Sequence, residues 1–254
     1  MKLAVCVKAV PDAASGRRID PATNRLGRGG DLVLSDFDLH PVEEALRLRE
    51  AAGEGEVVVV TLGPENAADA LRKTLAMGAD RVVRVTDDAF AGADLTVTAR
   101  ALAGALRRES ADLVLFGQQS ADGDGACLWA AVAELLQTPV ISQVSELSVA
   151  DGAVTGRRQT EYGYERIKAP LPAVVAVSDS INEPRYPSLK GIMGAKSKPH
   201  DVLSAADVGG AGEARTTVTA LAAPPSRGER RIVEDDGTAA EQIVGFLEEK
   251  RLLG

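Results

Sequence analysis

"EVVVVTLGP", residues 56–64, decides the fold. Four consecutive valines leave the segment no polar face, so a strand here has to be covered on both sides. Such a strand belongs inside a parallel sheet with helices above and below it. Its neighbours supply those parts. "NAADALRKTLAMGAD" (66–80) reads as a helix, "RVVRVTD" (81–87) as a strand and "DLTVTARALAGALRRES" (94–110) as a second helix. Upstream, "KLAVCVKAV" (2–10) is a first strand closed by Pro11-Asp12. "DLHPVEEALRLREAAG" (38–53) is a helix with Pro41 in its first turn and Gly53 just past its end. Downstream, "ADLVLFGQQSADGDG" (111–125) is a buried strand running into a polar turn, and "ACLWAAVAELL" (126–136) is the helix after it. This alternation predicts an α/β fold of parallel βαβ units with flanking helices. Ligands of such sheets bind at the carboxyl ends of the strands, so the loops after 10, 61 and 116 are where a site is expected.

The texture changes at about 137. Residues 142–179 alternate polar and apolar positions around an "ADG" turn, which predicts an antiparallel addition. "PAVVAVS" (172–178) then returns to the sheet. "GRRIDPATNRLGRGGDLVLS" (16–35) is rich in Gly and reads as a short hairpin or long loop. Residues 1–200 are expected to form the α/β domain. Residues 201–254 are expected to be an extended C-terminal arm with too few large apolar groups for a core. The arm ends in a helix bearing Ile243, Phe246 and Leu247, which needs a surface to lie on.

The formal charge of −8 and the 3% aromatic content argue against a nucleic-acid partner, which would require a basic footprint and stacking groups. No run approaches the ~20 apolar residues of a membrane span, and the N-terminus lacks a leader pattern. Cys6 and Cys127 have no metal-ligand spacing, and a reducing cytoplasm is the expected compartment. Against the acidic background, "INEPRYPSLKGIMGAKSKPH" (181–200) carries Arg185, Lys190, Lys196 and Lys198, with Leu189, Ile192 and Met193 among them. These apolar groups are either buried under the core or displayed to a partner.

"GQQSADGDGACLW" (117–129) admits two readings: an anion cradle of small residues before a helix N-terminus, or an ordinary strand-to-helix turn. Asp122 and Asp124 would repel a phosphate, which favours helix capping or binding of hydroxyl and amino groups. Cys6 reads as a small core residue, Trp129 as packing, and His40 as a solvated or capping group. With His40 and His200 the only histidines, no Ser-His-Asp set has a natural home.

The segments "VKAVPD", "HPVEEALRLRE", "VVVVTLGPENAADALRKTLAMGADRVVRV" and "ADLVLFGQQSADGDG" resemble, in order and spacing, the beta subunits of electron transfer flavoproteins. "LPAVVAVSDSINEPRYPSLKGIMGAKSKP" is the most specific part of the likeness, which covers residues 1–200. The resemblance implies a Rossmann-like, adenine-nucleotide-binding subunit without catalytic residues of its own. It implies pairing with an alpha subunit that holds the redox FAD at the interface, and electron flow from flavin dehydrogenases such as acyl-CoA dehydrogenases to a quinone oxidoreductase or other acceptor. By position, an AMP pocket would comprise Cys6, Ser35, Asp36, Phe37, Asp38, Leu62 and the run Gly117, Gln118, Gln119, Ser120, Ala121, Asp122, Gly123, Asp124, Gly125, Ala126, Cys127 and Leu128, with Phe37 also near the partner's flavin. The family's recognition loop falls on 185–198, where Arg185, Tyr186, Leu189, Ile192, Met193 and Lys196 would face a partner and Leu189 would be the anchor.

The chain also departs from the family pattern. Ser35-Asp36 stands where the family usually has Asn-Pro, and Ala126, Cys127 and Leu128 offer no side-chain donor to a phosphate. Arg158-Gln159 and Tyr162-Gly163 replace the family's Arg-Glu and Gly-Gly. Two alternatives accompany this reading: a bifurcating relative that holds a second FAD and uses NADH, and a stand-alone adenine-nucleotide sensor.

Overall fold

The computed structural model describes residues 1–225 and 232–253; part of the expected arm, 226–231 and 254, lies outside the described residues. In chain order the strands are β1 (Lys2–Cys6), β2 (Ala9–Pro11), β3 (Ile19–Asp20), β4 (Arg25–Leu26), β5 (Leu32–Leu34), β6 (Glu56–Leu62), β7 (Arg81–Val85), β8 (Leu113–Gly117), β9 (Val140–Ala150), β10 (Ala153–Thr160), β11 (Gly163–Pro170), β12 (Ala173–Val177) and β13 (His200–Leu203). The α-helices are α1 (Asp36–Ala52), α2 (Ala68–Met77), α3 (Leu95–Glu109), α4 (Leu128–Leu136), α5 (Leu189–Ala195) and α6 (Ala239–Glu249).

Nine strands form one sheet in the order β11-β10-β9-β12-β8-β1-β6-β7-β13. Pairings from β9 through β13 are parallel, while β9, β10 and β11 form the antiparallel addition. The valine run behaves as its composition requires. Val57 and Val59 enter the core layer that includes α1 and α2 side chains, and Val58 and Val60 enter the opposite layer with α3 side chains. All four are fully buried, and period-two alternation assigns them to the two faces.

From β1 the chain steps outward to β6 and β7, then returns across β1 to β8 and β12. The strand order therefore reverses at β1, which places a crevice at the carboxyl ends of β1, β6 and β8. The 16–35 segment contains the β3–β4 hairpin and comes back through β5, which pairs with β2 just beyond β1. The excursion thus delivers the start of α1 to the crevice. Gly53 ends α1 in a left-handed conformation (φ 75°), the cap expected past its last turn.

The strand expected over 2–10 divides into β1 and β2, the latter pairing with β5 in a separate two-stranded sheet, and one further strand joins the main sheet. β13 pairs in parallel with β7, so residues 200–203, where the arm was expected to begin, extend the sheet. The compact unit runs from Met1 to Thr219, and a second unit comprises Ala220–Gly254 and contains α6. On α6, Ile243, Val244 and Phe246 are exposed. Among the described residues no helix is long and apolar enough to cross a membrane.

Candidate nucleotide site and docking surface

Three chain segments meet at the crevice: the residues after β1, the start of α1, and the turn after β8. Ser35 binds all three. Its N–H donates to Lys8 O at 3.0 Å, its carbonyl accepts Asp38 N–H at 2.9 Å, and its Oγ accepts Ala121 N–H at 3.2 Å. Asp38 is buried and ties β1 to β8: Oδ2 accepts the Lys8 N–H at 2.7 Å, and the carboxyl also receives the Gly117 N–H. Gly117 is buried against the same group, and a Cβ there would stand 2.6 Å from Phe37 O and 2.7 Å from Asp38 Oδ1. Only glycine fits this contact.

Burial pushes the Asp38 carboxyl up to about 7, against the backbone donors, with the Asp122 charge adding to the rise. Cys6, buried at the end of β1, has its thiol raised by burial and then by Asp38, so it is an inert core group. Asp122 behaves in the opposite way. Burial acts to raise it, but hydrogen bonds and charges from Lys8 and Arg28 outweigh that and hold it at about 2. Lys8 Nζ donates to Asp122 Oδ1 at 2.7 Å, and Arg28 completes the pair from the 16–35 excursion while also donating to Ala9 O at 3.1 Å. Asp122 is therefore an ion-pair centre: it does not cap α4, and of the partners expected from its turn it binds an amino group, that of Lys8. Lys8 and Arg28 were missed as members of the site.

Gly123 through Cys127 are exposed, and Asp124 has φ 48°, with its carboxylate 3.4 Å from Gln119 Nε2. Cys127 occupies the N-cap of α4 without a side-chain cap bond. The Trp129 indole donates to Gln118 O at 3.3 Å, so this side chain fixes the turn as well as packing. Gln118, Ser120, Ala121 and Leu128 are half-buried around the same turn. Phe37 and Leu62 are half-buried beside the crevice, and Asp36 is exposed. The sequence-derived pocket residues thus converge on one place.

The two opposed carboxyl shifts give a testable pH profile. An Asp38 pKa raised in the folded state means the fold binds that proton more tightly than the unfolded chain, whose Asp titrates near 3.9. Its stabilisation is complete below about pH 4 and is lost as pH rises through about 7. Asp122 stabilises above about pH 4, and its contribution is lost as pH falls toward 2. Chemical denaturation should therefore give greater stability at pH 5.5 than at pH 8, with a difference of about 2 kcal/mol from Asp38. Asp38→Asn should be less stable overall, because its amide would meet an N–H donor, and should lose most of that slope. A variant retaining the full slope would show that Asp38 is not its source.

The second cluster lies on the outer face of α1. Arg185 Nε donates to Glu43 Oε2 at 2.7 Å, and its Nη1 and Nη2 reach Glu50 at 2.6 and 3.0 Å. Asn182 Nδ2 donates to His40 O and Glu44 Oε2, both at 3.0 Å, and its carbonyl lies 3.0 Å from His40 Nδ1. His40 is thus a pin for the 181–200 segment, neither solvated nor capping. Arg185, expected at a partner surface, braces the segment against α1. At the other end Lys198 Nζ donates to Leu75 O at 3.0 Å and Ala79 O at 2.6 Å, closing the C-terminus of α2. Between the braces, α5 and the residues beside it face outward except for the buried Ala195: Leu189 is 82% exposed, Tyr186 94% and Met193 78%, with Ile192 and Lys196 also exposed.

The comparisons with known proteins agree with one another. The family described as "Electron transfer flavoprotein domain" matches residues 24–208. The chain is 40% identical to an electron transfer flavoprotein subunit beta of Mycobacterium tuberculosis (strain ATCC 25618 / H37Rv), over 99% of each chain. A subunit beta from Thermoanaerobacterium thermosaccharolyticum is also 40% identical, over 82% of this chain and 79% of the relative. The Caffeyl-CoA reductase-Etf complex subunit CarD of Acetobacterium woodii is 35% identical, over 98% of this chain and 97% of its own. With the sheet topology and the segment order also in accord, this chain belongs to the electron transfer flavoprotein beta-subunit family.

Proposed function

We propose that this chain is the scaffold and docking half of a two-subunit electron carrier of the cytoplasm. An alpha subunit holds the redox FAD at the interface near Phe37, and the heterodimer takes electrons from flavin dehydrogenases, acyl-CoA dehydrogenases among them, and delivers them to a quinone oxidoreductase or other acceptor. The observation that carries this reading is the joint display of Tyr186, Leu189, Ile192 and Met193 on a segment braced at both ends, an exposed apolar group of the kind that marks a protein-binding surface. A leucine seated in a partner pocket gives roughly 1.5–3 kcal/mol, enough for a brief, repeatable encounter. This chain carries out no bond chemistry of its own in that scheme.

The crevice at β1 and β8 is the place for a structural AMP. The exposed 123–127 backbone and the uncapped start of α4 are suited to a phosphate, because backbone N–H groups and the helix dipole favour an anion there. Lys8 and Arg28 are already engaged by Asp122, so phosphate recognition falls to the main chain. This accords with the lack of donors on Ala126, Cys127 and Leu128. Bound AMP would supply no redox chemistry; it would fill and stiffen the crevice.

Co-expression with an alpha subunit should give a yellow heterodimer, while this chain alone stays colourless. Extraction of the heterodimer should release one FAD and one AMP. Two FAD would support the bifurcating alternative, for which the likeness to the CarD subunit is the motivating observation. Binding of AMP or ATP by the lone chain, without affinity for any alpha subunit, would favour the sensor instead.

A further inference from the structure

Helix α5 packs on α2 so closely that a Cβ on Gly191 would overlap Ala76 O. Beside this contact the two helices leave a groove of about 260 Å³. Its walls are Ala76, Pro187, Ile192 and Ala195, which carry no polar side-chain atom. Its rim is Arg72, Lys73 and Lys196. The volume falls below the ~300–1,000 Å³ of cofactor and metabolite pockets, and the walls lack the convergent polar groups that orient such ligands. The groove has room for an aliphatic side chain.

The rim indicates what that side chain must be attached to. In a chain of net charge −8, Lys73 and Lys196 have no ion pair among the described residues, and Arg72 is paired only with Asp69, one turn away on the exposed face of α2. Unneutralised cations around an apolar slot complement acidic residues flanking an aliphatic one. Arg185 and Lys198 anchor the two ends of the segment that forms one wall, which lowers the ordering cost of binding.

We propose that the α2–α5 groove is a socket for one aliphatic side chain of an acidic segment on a partner protein, engaged alongside the outward-facing Leu189. The socket thus rests on the docking reading of residues 181–200 and shares Ile192 and Lys196 with it, but it adds Arg72, Lys73 and Ala76 of α2, which lie outside the recognition loop. Contact is reciprocal: the chain offers one leucine and accepts one.

Fluorescence anisotropy with the intact heterodimer and fluorescein-labelled pentapeptides tests this. Glu-Glu-Leu-Glu-Glu should bind saturably, Glu-Glu-Ser-Glu-Glu about tenfold more weakly or worse, and Lys-Lys-Leu-Lys-Lys not at all. The exposed double variant Lys73→Glu/Lys196→Glu should reduce affinity for the first peptide about tenfold with an unchanged melting temperature. Leu189→Ala should leave that affinity within about twofold, since Leu189 is not part of the groove. Equal affinity for the three peptides, no measurable binding, or indifference to the double variant would each overturn the socket. The docking reading fails separately, if Leu189→Ala leaves reduction by a dehydrogenase unchanged while the peptide still binds.

Discussion

Gly117→Ala should lower the stability of the chain by roughly 2–3 kcal/mol, or about 5–10 °C in melting temperature for a chain of this size. The new methyl would press on the Phe37 carbonyl and the Asp38 carboxylate, neither of which can rotate away. Phe37 O is backbone in the first turn of α1, and Asp38 Oδ1 belongs to the side chain that ties β1 to β8. Relief therefore requires separating the helix start from the strand end, which also breaks the crevice. Gly123→Ala is the matched control: its Cβ would find only Ser120 Oγ at 3.7 Å, an ordinary contact, and should cost less than about 0.5 kcal/mol. Thermal unfolding followed by circular dichroism separates the two. A Gly117→Ala protein melting within about 2 °C of the parent would show that the crevice is looser than this contact implies.

Leu189→Ala should show the converse pattern, an unchanged fold with impaired function. With 82% of its surface in water, the leucine contributes little to folding. Its removal should leave the melting temperature and the flavin content of the heterodimer intact. If the side chain is buried in a dehydrogenase pocket, losing most of its roughly 1.5–3 kcal/mol should raise the KM for the heterodimer about ten- to fiftyfold. The kcat should change little, because the flavin and its surroundings are untouched. Stopped-flow reduction by a flavin dehydrogenase reads this directly. Unaltered kcat/KM would remove the anchor.

These two positions mark what the sequence does and does not disclose. Val57–Val60 and the helices around them declare the parallel sheet, because burial on two faces demands a continuous apolar run. β13 makes no such declaration. "HDVL" is a four-residue edge strand with a histidine and an aspartate, and its partner β7 lies more than a hundred residues earlier, so no local period betrays it. The strand-to-helix turn and the family resemblance point to a candidate site, and the structure brings Ser35, Asp38 and Gly117 of that set into contact. Lys8 and Arg28 escaped notice because their partner is 114 and 94 residues away and nothing local marks an ion pair at that range. The same distance hides His40 and Asn182, 142 residues apart, whose types alone suggest only polar surface. Arg185 is a similar case: its position in a basic segment gives no sign of the two glutamates on α1, 142 and 135 residues earlier, that pair with it.

Helix α1 serves two masters. Its first turn sets Asp38 against the switch in strand order, and its outer flank, through His40, Glu43, Glu44 and Glu50, grips the segment that bears Leu189. A packed helix moves as a rod, so a displacement at its beginning is felt along its whole length. The seventeen residues of this one element thus carry both the contact at the crevice and the grip on the 181–200 segment.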